Sequence, residues 1–163
     1  MSYMTEMDAL WLARAIHVIG VILWIGGVAF VTTVLLPTVE STLAPEQRLA
    51  EFERYERRFA FQAKISTLLV GLSGFYMVST LGLWPRFQHL AYWWMHAMVA
   101  VWALFMALLF VIEPLFFHRF LKSLAQADPS LPIRVLQRGH RVLLTVSLIT
   151  LAGAVAGSHG WLT

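Results

Sequence analysis

Four apolar runs dominate this chain, at about residues 10–36, 59–83, 90–117 and 133–157. Each is longer than the ~20 residues a helix needs to cross a hydrocarbon core. Inside a bilayer the backbone must satisfy its own hydrogen bonds, and runs of this length do so as helices. The four runs use up the 163 residues, so the pattern predicts one domain over 1–163, an all-α integral membrane antiparallel four-helix bundle. The balance of 59% hydrophobic against 13% charged residues excludes an ordinary soluble domain.

The opening "MSYMTEMDAL" has no basic segment before the first apolar run, and no small-residue cleavage site follows it, so the first helix is expected to be retained. Cysteine is absent, which excludes disulfides, thiolate metal sites, iron–sulfur clusters and covalently attached haem. Basic residues fall on one side of the predicted bundle. Arg48, Arg54, Arg57 and Arg58 lie between the first two runs, and Arg119, Lys122, Arg134, Arg138 and Arg141 surround the third connection, whereas the other side has little beyond Arg86. The positive-inside rule then predicts a bacterial-type inner (cytoplasmic) membrane protein with both termini outside. The net charge of +3 reports this topology, and nucleic acid is not an expected partner.

Between the first two runs, Pro45 suits a first helical turn, and Leu49, Phe52 and Phe59 recur at helical spacing, which predicts an amphipathic cytoplasmic helix over 45–58 running into the second span. "LWPRFQH" is a short connection, so the second and third helices should be antiparallel neighbours; "AQADPSLPI" carries turn signals before the fourth. A faint echo relates the first and third helices, each with a histidine followed by a proline: His17 and Pro37, His96 and Pro114.

Arg14 and His17 stand inside the first apolar run. A charge there costs roughly 2.5–3.5 kcal/mol on insertion scales, so such positions face a partner rather than lipid. At 1.5 Å per residue His17 lies ~10 Å along its helix and His96 ~9 Å along the third, which predicts matching depth across the bundle diagonal. Small residues accompany them. His17 shares a stripe with Gly20, Trp24 and Gly27, and His96 with Ala100, Ala103 and Ala107; Gly71 and Gly74, and Ala152, Gly153, Ala156 and Gly157, offer similar faces. A haem b with His17 and His96 as axial ligands, and Arg14 on a propionate, would fit such a cavity. His159 is a third candidate ligand. The competing reading is helix packing, in which small stripes and intramembrane histidines only hold helices together.

Other residues have plainer readings. Lys64 and Glu113 near the inner ends of their helices can pair or snorkel, and Glu113 could serve a proton path. His118 and His140 flank the basic loop, where headgroup contact is expected, and His89 belongs to the outer connection. Trp84, Tyr92, Trp93 and Trp94 form an interfacial aromatic belt. Met1, Met4 and Met7, with Met95 and Met98 around His96, permit a Cu(I) thioether site.

The run "HVIGVILWIGGVAF", in which His17, Trp24, Gly26 and Gly27 make H-x6-W-x-G-G, resembles the first helix of the CopD copper-resistance and HemJ-type membrane families, and "YWWMHAMVAVWALF" extends the likeness to the third helix. The resemblance implies a four-helix membrane fold, haem b or copper as cofactor, and a functional histidine at His17. HemJ-type proteins are protoporphyrinogen oxidases with a lysine in the third helix where this chain has Met98, so that activity is not expected to carry over. The residues and the resemblance together lead to a b-type haem-binding inner-membrane protein, engaged in electron transfer or redox chemistry with a quinone, porphyrin or periplasmic redox partner, as a monomer or a homo-oligomer. Copper transport or resistance, and a structural subunit of a membrane complex, are the alternatives.

Overall fold

The structure is a computed structural model and describes residues 2–161, with side chains from residue 5 onward. All regular structure among the described residues is helical. Four helices are long and apolar enough to cross a membrane: Thr5–Thr42, Pro45–Thr80, Leu90–Ala127 and Leu131–Ser158. They form an antiparallel all-α bundle. Pro45 and Pro132 sit in first turns, where a missing N–H costs nothing, and Gly82 at φ 62° ends the second helix. Large apolar side chains such as Ile22, Phe61, Leu72 and Val142 point outward, away from the bundle interior. A hydrocarbon surround removes the penalty that water would impose on them.

Glycines let the helices approach. Gly20 abuts Val70 and the Ser66 carbonyl, and Gly27 receives the edge of Phe59, which draws the first helix along the second. On the fourth helix Gly153 and Gly157, four residues apart, receive the indoles of Trp93 and Trp94 from the third. Small residues at this spacing are a standard packing device in membranes. Trp24 and Phe105 close the diagonal between the first and third helices with ring centroids 4.8 Å apart, edge to face.

The echo between the first and third helices has a structural counterpart. Val31–Leu35 and Leu108–Phe117 are wound as π-helix, the first just before Pro37 and the second around Pro114. A proline inside a helix clashes with the turn before it, and a wider turn relieves the clash. Both stretches lie toward the basic end of the bundle, beside a core of Leu36, Phe52, Leu121 and Ile133. At the turn before the fourth helix, Asp128 accepts from the Ser130 N–H and hydroxyl, both at 2.8 Å, and from Arg134 at 2.7 Å. These donors, the Ser130 N–H first, hold the Asp128 carboxyl below the usual carboxylate range.

Candidate functional site

Two cavities lie along the bundle axis, and Trp24 belongs to the wall of both. The one nearer the chain termini measures about 260 Å³ and is lined almost wholly by apolar groups, with His17, Ser147 and Thr150 as its polar residues besides the tryptophan indoles. The one nearer the basic end measures about 120 Å³ and is lined by Glu56, Glu113 and His140 among apolar side chains.

His17 is held in a defined state. Its Nδ1 lies 3.0 Å from the Val70 carbonyl and 3.1 Å from the Ser73 hydroxyl. A carbonyl can only accept, and the Ser73 hydroxyl donates to Leu69 O at 2.6 Å, so Nδ1 carries the proton and donates to both. In the neutral ring Nε2 then keeps its lone pair. Gly74 packs against the Cε1–Nδ1 edge of the imidazole, where a Cβ would come within 3.2 Å of Cε1.

The expected site residues divide into two groups. His17 and Trp24 line the larger cavity. His96 does not: its Nε2 donates to Phe87 O at 3.0 Å and its Nδ1 faces Tyr92 O at 3.3 Å, so the ring ties down the connection between the second and third helices. The Trp24–Phe105 contact sets the level. Seven residues back from each ring lie His17 and Met98, so Met98 is at about the level of His17 and lines the cavity, while His96 sits nearer the helix end. Arg14 is exposed, with its guanidinium 5.3 Å from the centre of the exposed Trp11 ring. Ala100 points outward with Ala103 and Ala107. Gly20 and Gly27 are filled by the second helix rather than open to the cavity. His159 is exposed, its Nδ1 on Val155 O at 2.8 Å. Of the methionines expected to serve a copper site, Met7 is exposed, and Met1 and the Met4 side chain lie outside the described residues.

Residues that periodicity did not single out complete the wall. Ser147 and Thr150 face the cavity from the fourth helix and Met77 adds a thioether, while Met95 and Met98, expected beside a copper site, line it as well. Phe75, Trp84, Val99 and Leu151 line it while remaining exposed, so its mouth is apolar and opens sideways, where bilayer would be. At the other cavity Lys64 and Glu113 do pair, at 2.7 Å. Glu56 lies on the stretch expected to form a cytoplasmic helix, but the continuous helix Pro45–Thr80 carries it into the cavity wall, with Oε2 buried and unpartnered. Among the described residues no group of three or more His, Cys, Asp or Glu side chains comes together as a metal site.

Comparison of the chain with known protein families, with curated proteins and with solved structures finds no match.

Proposed function

We propose that this protein is a multi-pass inner-membrane protein of redox type that takes a flat, apolar ligand from the bilayer into the His17 cavity and holds it at Nε2 of His17. The observation that carries this reading is the fixed tautomer: Val70 and Ser73 take up the Nδ1 proton, and the remaining lone pair belongs to a ring on the wall of an apolar cavity. Backbone anchoring of one ring nitrogen is how proteins orient a histidine whose other nitrogen is to bind something. With the basic loops in the cytoplasm, the cavity lies in the outer half of the membrane, within reach of a periplasmic partner.

Haem b is the ligand implied by the likeness to the CopD and HemJ-type families, and the cavity fits it in part. Nε2 of His17 would suit iron, the walls are apolar, and Met98 lines the cavity at about the level of His17, so the residues that would hold the group are His17 and Met98 rather than His17 and His96. No Lys or Arg lines the cavity, so haem propionates would find no cation inside it. Bound haem would supply one-electron transfer; the part of this chain is to orient the imidazole and exclude water. Copper is a second reading, favoured by Met77, Met95 and Met98 sharing the wall with His17, a soft ligand set suited to Cu(I).

An absorption spectrum of the purified protein, oxidised and then reduced, with elemental analysis of the same sample, is the test. Haem gives a Soret band that His17→Ala abolishes and His96→Ala retains. Copper gives no such band, and metal content that falls in His17→Ala. Protein lacking both chromophore and metal would remove both metal readings.

A further inference from the structure

Hydroxyls on helices in hydrocarbon usually donate to the carbonyl one turn back. Thr32 does so to Val28 at 2.6 Å, Thr67 to Ala63 at 2.6 Å and Ser73 to Leu69 at 2.6 Å. Ser147 does not: it is 1% exposed and its Oγ is buried without a partner. The tryptophans show the same contrast. Trp102 donates from Nε1 to Thr67 O at 2.9 Å, whereas Trp24 and Trp94, 3% and 7% exposed, leave Nε1 buried and unpartnered. An unpartnered donor in such surroundings costs roughly 1–3 kcal/mol, so these groups ask for an acceptor that the protein does not supply.

Ser147 and Trp24 lie at one end of the His17 cavity, and Trp94, beside Gly157, toward the other. From the contact of Trp94 with Gly157, ten residues along each helix lead to Leu104 and Ser147, so Ser147 is level with the Trp24–Phe105 pair. His17, seven residues from Trp24 on the same helix face, is ~10 Å away along the axis. The cavity thus has donors at its floor and, at a distance that two hydrogen bonds of ~2.8 Å and one ring can bridge, the acceptor Nε2. No Lys, Arg, Asp or Glu lines it, so the ligand is neutral. Its volume of about 260 Å³ is at the small end for ligand sites, which run ~300–1,000 Å³, and suits one ring better than a tetrapyrrole.

We propose that the His17 cavity binds the ring of a lipid quinol, one hydroxyl donating to Nε2 of His17 and the opposite oxygen accepting from Trp24 Nε1 and the Ser147 hydroxyl, with the tail leaving through the apolar sideways mouth. The proposal rests on the reading of this cavity as the ligand site. The His17 tautomer also sets a preference: the hydroxyl of a quinol can donate to Nε2, and the carbonyl of the oxidised quinone cannot.

The test is an anaerobic titration of the purified full-length protein in detergent with decylubiquinol and, separately, decylubiquinone, followed by quenching of tryptophan fluorescence. Quinol is expected to bind about tenfold more tightly than quinone, and His17→Ala and Ser147→Ala each to weaken quinol binding about tenfold, the loss of roughly one good hydrogen bond. Ala154→Phe, which fills the cavity from its wall without removing a polar group, should abolish binding. A melting temperature for each variant shows that it is folded; if His17→Ala is not, the Ser147→Ala and Ala154→Phe results decide. Equal affinity for the two redox forms, or quinol binding unchanged in Ser147→Ala and Ala154→Phe, overturns the proposal. A Soret band sensitive to His17→Ala, in protein that binds no quinol, overturns the proposal and leaves the cavity reading standing. Protein that carries no haem or copper and binds no quinol overturns both.

Discussion

The two cavities on either side of the Trp24–Phe105 pair are built from the same four helices but treat polar groups in opposite ways. Toward the basic end polar side chains mostly meet one another: Lys64 reaches Glu113 at 2.7 Å, and Gln137 donates to Glu40 at 2.7 Å. Glu53 and Glu56, each with one carboxylate oxygen buried and unpartnered, are exceptions there. Toward the termini some polar groups brace His17, as Ser73 and the Val70 carbonyl do, and others stand alone, as Ser147, Trp24 and Trp94 do. The difference follows from charge. A lone ion in hydrocarbon is costlier to leave unmet than a neutral hydroxyl or indole N–H, in keeping with Lys64 having Glu113 beside it while Ser147 and Trp24 go without a partner.

Breaking the ion pair should have the largest effect. Lys64→Ala strands Glu113 and Glu113→Gln strands Lys64. Removing one partner of a fully buried pair costs about 3–5 kcal/mol, and because these side chains are 29% and 17% exposed, about 2 kcal/mol is expected for each. The double change Lys64→Met with Glu113→Leu removes both charges and should recover to within about 1 kcal/mol of the parent. Equilibrium unfolding in mixed micelles measures all three. Single variants as stable as the parent would mean that Lys64 and Glu113 are served by water or headgroups, and the contrast between the two cavities would lose one side.

Next in size is the glycine cradle that closes the His17 cavity against the fourth helix. A methyl at Gly157 would overlap the Trp94 indole, and one at Gly153 would come within 2.6 Å of Trp93. Gly157→Ala is therefore expected to cost about 1–3 kcal/mol through overpacking, and also to disturb the cavity wall that Trp94 forms. A methyl at Gly26, inside the first helix, would meet nothing within 4 Å, so Gly26→Ala should gain about 0.5–1 kcal/mol. Equal effects at the two positions would show that Trp94 has room to move and that the cavity wall is softer than it looks.

The fold was legible because hydrocarbon leaves a helix few alternatives and the length of an apolar run can be counted. The candidate site's cavity wall was legible at His17, since a polar residue in such a run stands out. The same signal misled at His96. Its partner, the Phe87 carbonyl, belongs to a short 3-10 turn of the connecting segment, which helical periodicity does not describe. The Ala100 stripe failed for a related reason: small residues mark a close approach or an outward face equally well, and only the rotation of the helix decides. Ser147 and Trp24 carry no local signal of being unpartnered. Ser66, Thr67 and Ser73 show that a helical hydroxyl normally satisfies itself, and which one does not is settled by neighbours far away in the chain.

Ser147 gives the smallest effect and the sharpest separation between the cavities. In ligand-free protein its hydroxyl is buried without a partner, so Ser147→Ala removes an unmet donor at the cost of one small atom of packing and should stabilise by about 1 kcal/mol. Thr67→Val, which removes a hydroxyl bonded at 2.6 Å to Ala63 and keeps the shape of the side chain, should destabilise by about 1 kcal/mol. The sign, rather than the size, is what matters. Melting curves on extensively delipidated protein measure it, and the same pair of variants in protein saturated with decylubiquinol should bring the Ser147→Ala gain back toward zero or reverse it. A destabilised Ser147→Ala in the stripped protein would show that the hydroxyl already has a partner, and the floor of the His17 cavity would then offer a ligand the Trp24 indole alone.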